Sequence, residues 1–460
     1  MKKQWLVMAT AAVFGLVANS FADVQNIRLS GDIRIRGYYL ANVAGDAVED
    51  QVKLEDSFIT QRTRVCVEAD LEDHVLVVVT LKAEGQWGAD SETSSTAGAG
   101  SGGTASSDRI NRLWDVGVSE AYVQLSELFY TPATLKLGRQ YLHYGRGLIF
   151  SSVDQEYNFD AARLVLDYYP VTVDLLYAKA AENTPFGPGT GARDTDVLFI
   201  NARYERTDSV LKDIEAYFGY LANNTSSGSK SRIPPSANSA SPMLIGIRGD
   251  LNPTDNLSVW FEGAYEFGAD GTTDNDTLSA FLVNAGARYA PKDVAWSPSL
   301  NFNYTFASGG SRIDPLSGDV VPNSNAFVPW FDYVDGYNGY LFAPRLSNIH
   351  IFNLGASVKP YENTTLSVQG YYYRSADTIP GNLGVGLAGN HNVDFGGLGF
   401  SPSGSSRDLG WEVDGILGYD YSKDVRFQLV YAAFIPDNGF TVYPSDAVAH
   451  LVRGEVNVRF

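Results

Sequence analysis

The chain has 460 residues, with 34 Lys and Arg against 53 Asp and Glu, a formal net charge of −19. Charged residues make up 19% and hydrophobic ones 44%, with 45 Gly, 27 Tyr, 24 Phe and one Cys. The sign of the charge argues against a nucleic-acid partner, the single Cys excludes an internal disulfide framework, and the many aromatic and β-branched residues do not fit disorder. This balance points to β-structure.

The first element is an export signal. Lys2 and Lys3 precede an apolar stretch from Trp5 to Val17, and Ser20-Phe21-Ala22 follows with small residues at its first and last positions. That is a secretory signal peptide, with cleavage expected after Ala22 and one domain over 23–460. Beyond it, the apolar run Val75 to Val79 falls far short of the ~20 residues a membrane helix needs.

A period of two then runs along the chain. Ile27, Leu29, Ile33 and Ile35 share one parity, and Arg28, Ser30, Asp32, Arg34 and Arg36 share the other. Adjacent strand side chains point to opposite faces, so one face is greasy and the other charged. The second run opposes Ile59, Val65, Val67, Ala69 and Leu71 to Arg62, Arg64, Cys66, Glu68 and Asp70; the third opposes Val75, Val77, Val79 and Leu81 to Thr80, Lys82 and Glu84. Further strands are predicted near 116–125, 134–146, 158–168, 171–182, 195–205, 213–222, 243–251, 257–268, 277–290, 297–307, 347–359, 364–376, 408–421, 424–435 and 448–460. With 27–40, 57–71 and 75–87 that makes eighteen.

The connections alternate between long and short. Glu72-Asp73-His74, Pro360–Asn363 and Ser422-Lys423 are tight; 41–56, 90–115, 223–242, 308–346 and 377–407 are long. Short periplasmic turns and long outer loops, an even strand count, and Tyr pairs at strand ends predict an all-β fold, a transmembrane antiparallel barrel embedded in outer-membrane lipid. The segment 91–107 is rich in Ser, Thr, Gly and Ala and reads as flexible. The aromatic stretch 326–343 is expected to pack on the barrel mouth or fold inward. The last strand ends at Phe460, a terminal aromatic that resembles the signal read by the barrel assembly machinery.

Parity also predicts the lumen. Arg34, Arg36, Arg62 and Arg64 fall near mid-height on adjacent strands, with Lys82 and Arg163 of the same inward parity. Guanidinium grips carboxylate or phosphate bidentately and keeps its charge, so an Arg arc favours anions. Glu262, Glu266, Glu412, Asp414 and Asp420 are expected on the opposite arc, giving a transverse charge separation or mutual neutralisation. The acids Asp46, Glu49, Asp50, Glu55 and Asp56 read as a solvated loop. No hydrolase, zincin or phosphate-loop motif is present, so no catalytic residue, cofactor or metal is predicted; His143 near Ser151 and Ser152 reads as a polar residue at a strand end.

Three stretches carry a family resemblance. Glu120–Leu125 reads EAYVQL, Leu135–Gly145 reads LKLGRQYLHYG and Phe159–Leu164 reads FDAARL; near the end come LGWEVD at Leu409–Asp414 and YAAFIP at Tyr431–Pro436. These resemble the alginate export family of outer-membrane proteins. The resemblance implies an 18-stranded monomeric barrel, with Arg139, Arg163, Glu412 and Asp414 as pore-lining or structural positions. Arg139 shares the parity of Leu135 and Leu137, so either a bulge near Gly138 turns it inward or it sits outside the lipid band. The window 146–157 departs from the family pattern. Two functions are expected to compete: a porin-like channel for small anionic solutes, and an export conduit for an anionic exopolysaccharide such as alginate with a periplasmic partner.

Overall fold

The computed structural model describes residues 25–42, 55–71, 74–88, 114, 116–152, 158–181, 194–206, 208–223, 241–269, 277–309, 311–313, 320–322, 325–327, 329–331, 337–344, 346–377, 406–437 and 448–460. The signal peptide, the stretch 91–107, Asp46, Glu49, Asp50 and His391 lie outside these residues.

Eighteen long strands form one sheet. Numbering only these, they are β1 Asn26–Ala41, β2 Glu55–Asp70, β3 Val75–Gln86, β4 Val116–Leu125, β5 Ala133–Gln140 and β6 Phe159–Tyr168. Next come β7 Val171–Ala181, β8 Thr195–Glu205, β9 Leu211–Asn223, β10 Ser241–Thr254, β11 Leu257–Ala269 and β12 Thr277–Tyr289. The series ends with β13 Ser299–Ala307, β14 Ile349–Tyr361, β15 Thr364–Ser375, β16 Asp408–Asp420, β17 Val425–Pro436 and β18 Ala449–Arg459. Each strand runs antiparallel to its neighbour in sequence, and β18 returns to β1 from Asp32↔Arg459 to Ala41↔His450. Closure satisfies every edge, which a sheet in hydrocarbon requires. The predicted count, order and closure all hold.

The outer wall is apolar and open. Leu29, Leu300 and Leu354 are 67%, 57% and 66% exposed, on the parity opposite the charges. Only lipid makes such a belt affordable.

Two expectations are corrected. The predicted strand 134–146 stops at Gln140, and Leu142, Tyr144, Leu148, Ile149 and Phe150 turn inward and are buried. Their apolar character, read as strand, serves an interior. Connection lengths also alternate less strictly than predicted: the outer link 270–276 is shorter than the inner turn 290–298.

The barrel is partly filled. Its apolar cluster joins the infolded 142–150 stretch and Phe327, Trp330, Phe331, Leu341, Phe342 and Leu346 to wall residues such as Phe159, Phe199, Tyr217, Tyr373 and Phe434. The aromatic stretch therefore folds inward, as its composition predicted. From β1–β5, only Tyr38 and Leu40 join this cluster among the described residues, with Phe58 packed against it. The filling hugs one side.

Candidate functional site

The lumen is built from two arcs of wall and a pair of infolded loops. The first is β18 with β1–β3. Arg34 stands directly across from Arg62, Asp32 from Arg64, and Arg64 from Lys82. Across the seam, Arg36 faces Glu455 and Tyr38 faces Arg453. Asp32 accepts from Arg64 and, at 3.2 Å, from Arg62. Arg36 Nε donates to Glu455 at 2.6 Å, and Lys82 Nζ lies 3.5 Å from Glu84. Near the periplasmic rim Arg28 pairs with Glu68 and Asp70. Above it, among the described residues, this wall sets Arg34, Arg36, Arg62, Arg64, Lys82 and Arg453 against Asp32, Glu84 and Glu455, an excess of cations. Arg34, Arg36 and Arg62 are buried in the wall, while Arg64 and Lys82 keep 21% and 15% of their side chains exposed.

The second arc lies opposite. In an 18-stranded ring β10 faces β1. Arg203, Glu215, Arg248 and Glu262 are successive cross-strand neighbours on β8–β11. Arg203 meets Asp213 at 2.6 Å; Arg248 meets Glu215 at 2.7 Å, Asp213 at 3.3 Å, and Asp250. Here signs alternate and each Arg is paired, with carboxylates in excess: Arg203 and Arg248 stand against Asp213, Glu215, Asp250 and Glu262. Arg163 pairs with Asp174 at 2.5 Å beside it. Asp420, at the strand end, pairs with Arg426 at 3.3 Å and is half exposed, away from the mid-barrel arc.

The third element is the pair of infolded loops, and wall carboxylates hold them. Glu215 accepts Gly145 N–H at 3.0 Å, and Glu262 accepts Arg146 N–H at 2.8 Å and the Tyr217 hydroxyl at 2.7 Å. Glu266 accepts the Trp330 indole N–H at 2.9 Å. Glu412 accepts the N–H groups of Tyr340, Leu341 and Phe342, each at 2.8 Å, and Asp414 takes Tyr340 N–H at 3.3 Å. Glu262, Glu412 and Asp414 thus face the infolded loops, and all three are buried. Their charge is directed at loop backbone, where an orphan donor would be costly. The loops also bond to each other: Phe331 N–H donates to Ile149 O and Ser151 N–H to Phe331 O, both at 2.8 Å.

Arg139 is a correction. It lies on the outward face with exposed Leu137, and its fork donates to Asp160 at 2.8 and 2.9 Å. Gly138 has φ +120°, but the β4–β5 and β5–β6 registers run unbroken through it. With no bulge, parity rules, and Arg139 does not line the lumen. His143 meets Ser151 Oγ through Nδ1 at 3.0 Å inside the infolded loop.

Arg203, Asp213, Glu215, Arg248 and Asp250 went unselected, although alternation along β8–β10 marks them as inward. Arg146 carries no such signal, because it sits past the end of β5.

A sequence model of the family described as "Alginate export" matches residues 27–445. No curated protein matches the chain. Solved structures from Pseudomonas aeruginosa share the fold. Outer membrane protein OpdK is 11% identical, covers 94% of this chain and 99% of its own, and has a TM-score of 0.56. OpdK with vanillate is 10% identical over 94% and 98%, with a TM-score of 0.55. OccK2 (OpdF) in complex with glucuronate is 9% identical over 96% and 99%, also at 0.55.

Proposed function

Since the chain belongs to the alginate export family and is an outer-membrane channel of a Gram-negative bacterium, we propose that it passes small anionic solutes along the cationic wall of β18 and β1–β3. The observation that carries this reading is the excess of Arg and Lys over carboxylates on that wall among the described residues, facing an arc where carboxylates outnumber Arg. A transverse field of this kind draws anions to one side of the pore. Arg64 and Lys82 are the cations most open to a passing solute, with Arg34, Arg36, Arg62 and Arg453 behind them. Arg163 closes the neighbouring arc through Asp174. Glu262, Glu412 and Asp414 act as loop anchors. Two neighbours of the same fold were crystallised with carboxylates, vanillate and glucuronate, which supports the same solute chemistry here. The infolded, mutually bonded loops favour small solutes over a polymer. The outward Phe460, hydrogen-bonded to Gly31 at the seam, is the element we assign to recognition by the assembly machinery. The reading is one of transport, without catalysis.

The test is the reversal potential of the protein in planar bilayers under a salt gradient. Replacing Arg34, Arg36, Arg62 and Arg64 by Ser together strips the wall and leaves Asp32 and Glu455, so selectivity is expected to move toward cations. An unchanged potential overturns the reading. Uronate oligomers crossing the wild-type pore would instead favour polysaccharide export with its periplasmic partner.

A further inference from the structure

Arg146 stands where both infolded loops meet the wall. Its position is fixed from the backbone outward. Gly145 adopts φ +59°, a conformation that favours glycine, and a Cβ there would collide with Glu262. The bare backbone lets Glu215 and Glu262 capture the N–H groups of Gly145 and Arg146. So seated, the Arg146 guanidinium lies over the Trp260 ring, 4.9 Å from its centroid, and gives Nη1–H to Asp250 at 2.9 Å. Trp260 is held in plane by its indole N–H on Asn303 Oδ1 at 3.0 Å. Tyr337, half-buried on the second loop, donates to Asn284 at 3.4 Å nearby.

Two buried guanidinium N–H groups in this cluster find no acceptor among the described residues, Nε of Arg248 and Nε of Arg146. Glu215 serves Arg248 and Gly145; Glu262 serves Arg146 N–H and Tyr217; Asp250 serves Arg146 and Arg248. The Arg146 Nε–H is buried and has no acceptor among the described residues, although 24% of its side chain is exposed. A buried unpaired donor on a cation is costly, and a carboxylate oxygen is the acceptor that offsets it best. The surfaces around it are planar rings, on which a second ring stacks favourably.

We propose that Arg146, Trp260 and Tyr337 form a solute subsite at the loop junction that selects ring-bearing carboxylates over open-chain hydroxy acids of equal charge. This rests on the channel reading and adds a preference to it. The carboxylate meets the free Nε–H edge of Arg146, and the ring lies against Trp260 or Tyr337.

Chloride current through the full-length protein in planar bilayers reads this directly, with benzoate and gluconate as blockers of one charge. Wild-type protein is expected to be half-blocked by benzoate at several-fold lower concentration than by gluconate. Trp260→Leu and Tyr337→Leu should each shrink that ratio toward one, and Arg146→Lys should weaken both blockers. Tyr337 lies on a loop, so its variant keeps the test if Trp260→Leu fails to fold. Equal half-blocking concentrations in the wild type overturn the subsite, as does a ratio that survives both ring substitutions. Loss of anion selectivity in the Arg-to-Ser variant leaves this ratio unaffected, so the two proposals fail separately.

Discussion

At the scale of single residues, two positions in the first infolded loop control its seating. Gly145→Ala places a side chain in left-handed backbone, costing about 1–2 kcal/mol, and presses it against Glu262. Amide hydrogen exchange over Leu142–Ser151 should then quicken by about 5- to 30-fold. His143 gives the loop a pH dependence. Although the His143 side chain keeps a solvent-exposed edge, the loop and wall packed around it desolvate its ring and hold it below the usual histidine value, Glu215 opposing and Arg248 adding. The released loop therefore binds its proton at a higher pH than the seated loop does. Seating is fully favoured above the ordinary value of ~6.5 and weakens as pH falls from there toward the depressed one. Channel noise should rise on acidification through that range, and His143→Gln should flatten the response.

At the scale of elements, the two infolded loops behave as one body. They share two backbone hydrogen bonds, and Phe150 and Phe331 pair across the junction with ring centroids 5.0 Å apart. In a Cys66→Ser background, Phe150→Cys with Phe331→Cys should therefore oxidise to a disulfide, since bridged strands lie within the ~4.4–6.8 Å such a bond spans. Partial-closure steps in single-channel records should disappear on oxidation and return on reduction; steps that persist would show that the loops move separately. The strands were legible in the sequence because lipid outside and water inside impose a two-residue period, as in Ile33, Arg34, Ile35 and Arg36. Loop seating was not legible, because Glu412 meets Tyr340 across 72 residues and Glu262 meets Arg146 across 116. No local pattern distinguishes an inward carboxylate that faces water from one that faces a loop backbone. Arg139 shows the converse, where plain parity was right and the bulge was unnecessary.

At the scale of the whole molecule, the net charge of −19 says little about the pore. What matters is that, among the described residues, one wall carries surplus cations while carboxylates outnumber Arg on the wall across from it. Exposed charges are screened over ~8 Å at physiological ionic strength, so the selectivity lost in the Arg-to-Ser variant should be largest in dilute salt.

The carboxylate anchors also impose an order in time. Gly145 precedes Glu215 in the chain by 70 residues, Arg146 precedes Glu262 by 116, and Tyr340 precedes Glu412 by 72. Until those later strands join the sheet, the apolar stretches destined for the interior have nowhere to dock. Each loop is therefore seated only once the strands that carry its anchors, β9 and β11 for the first and β16 for the second, are in the sheet. Whatever escorts this chain through the periplasm must shield its loops as well as its strands.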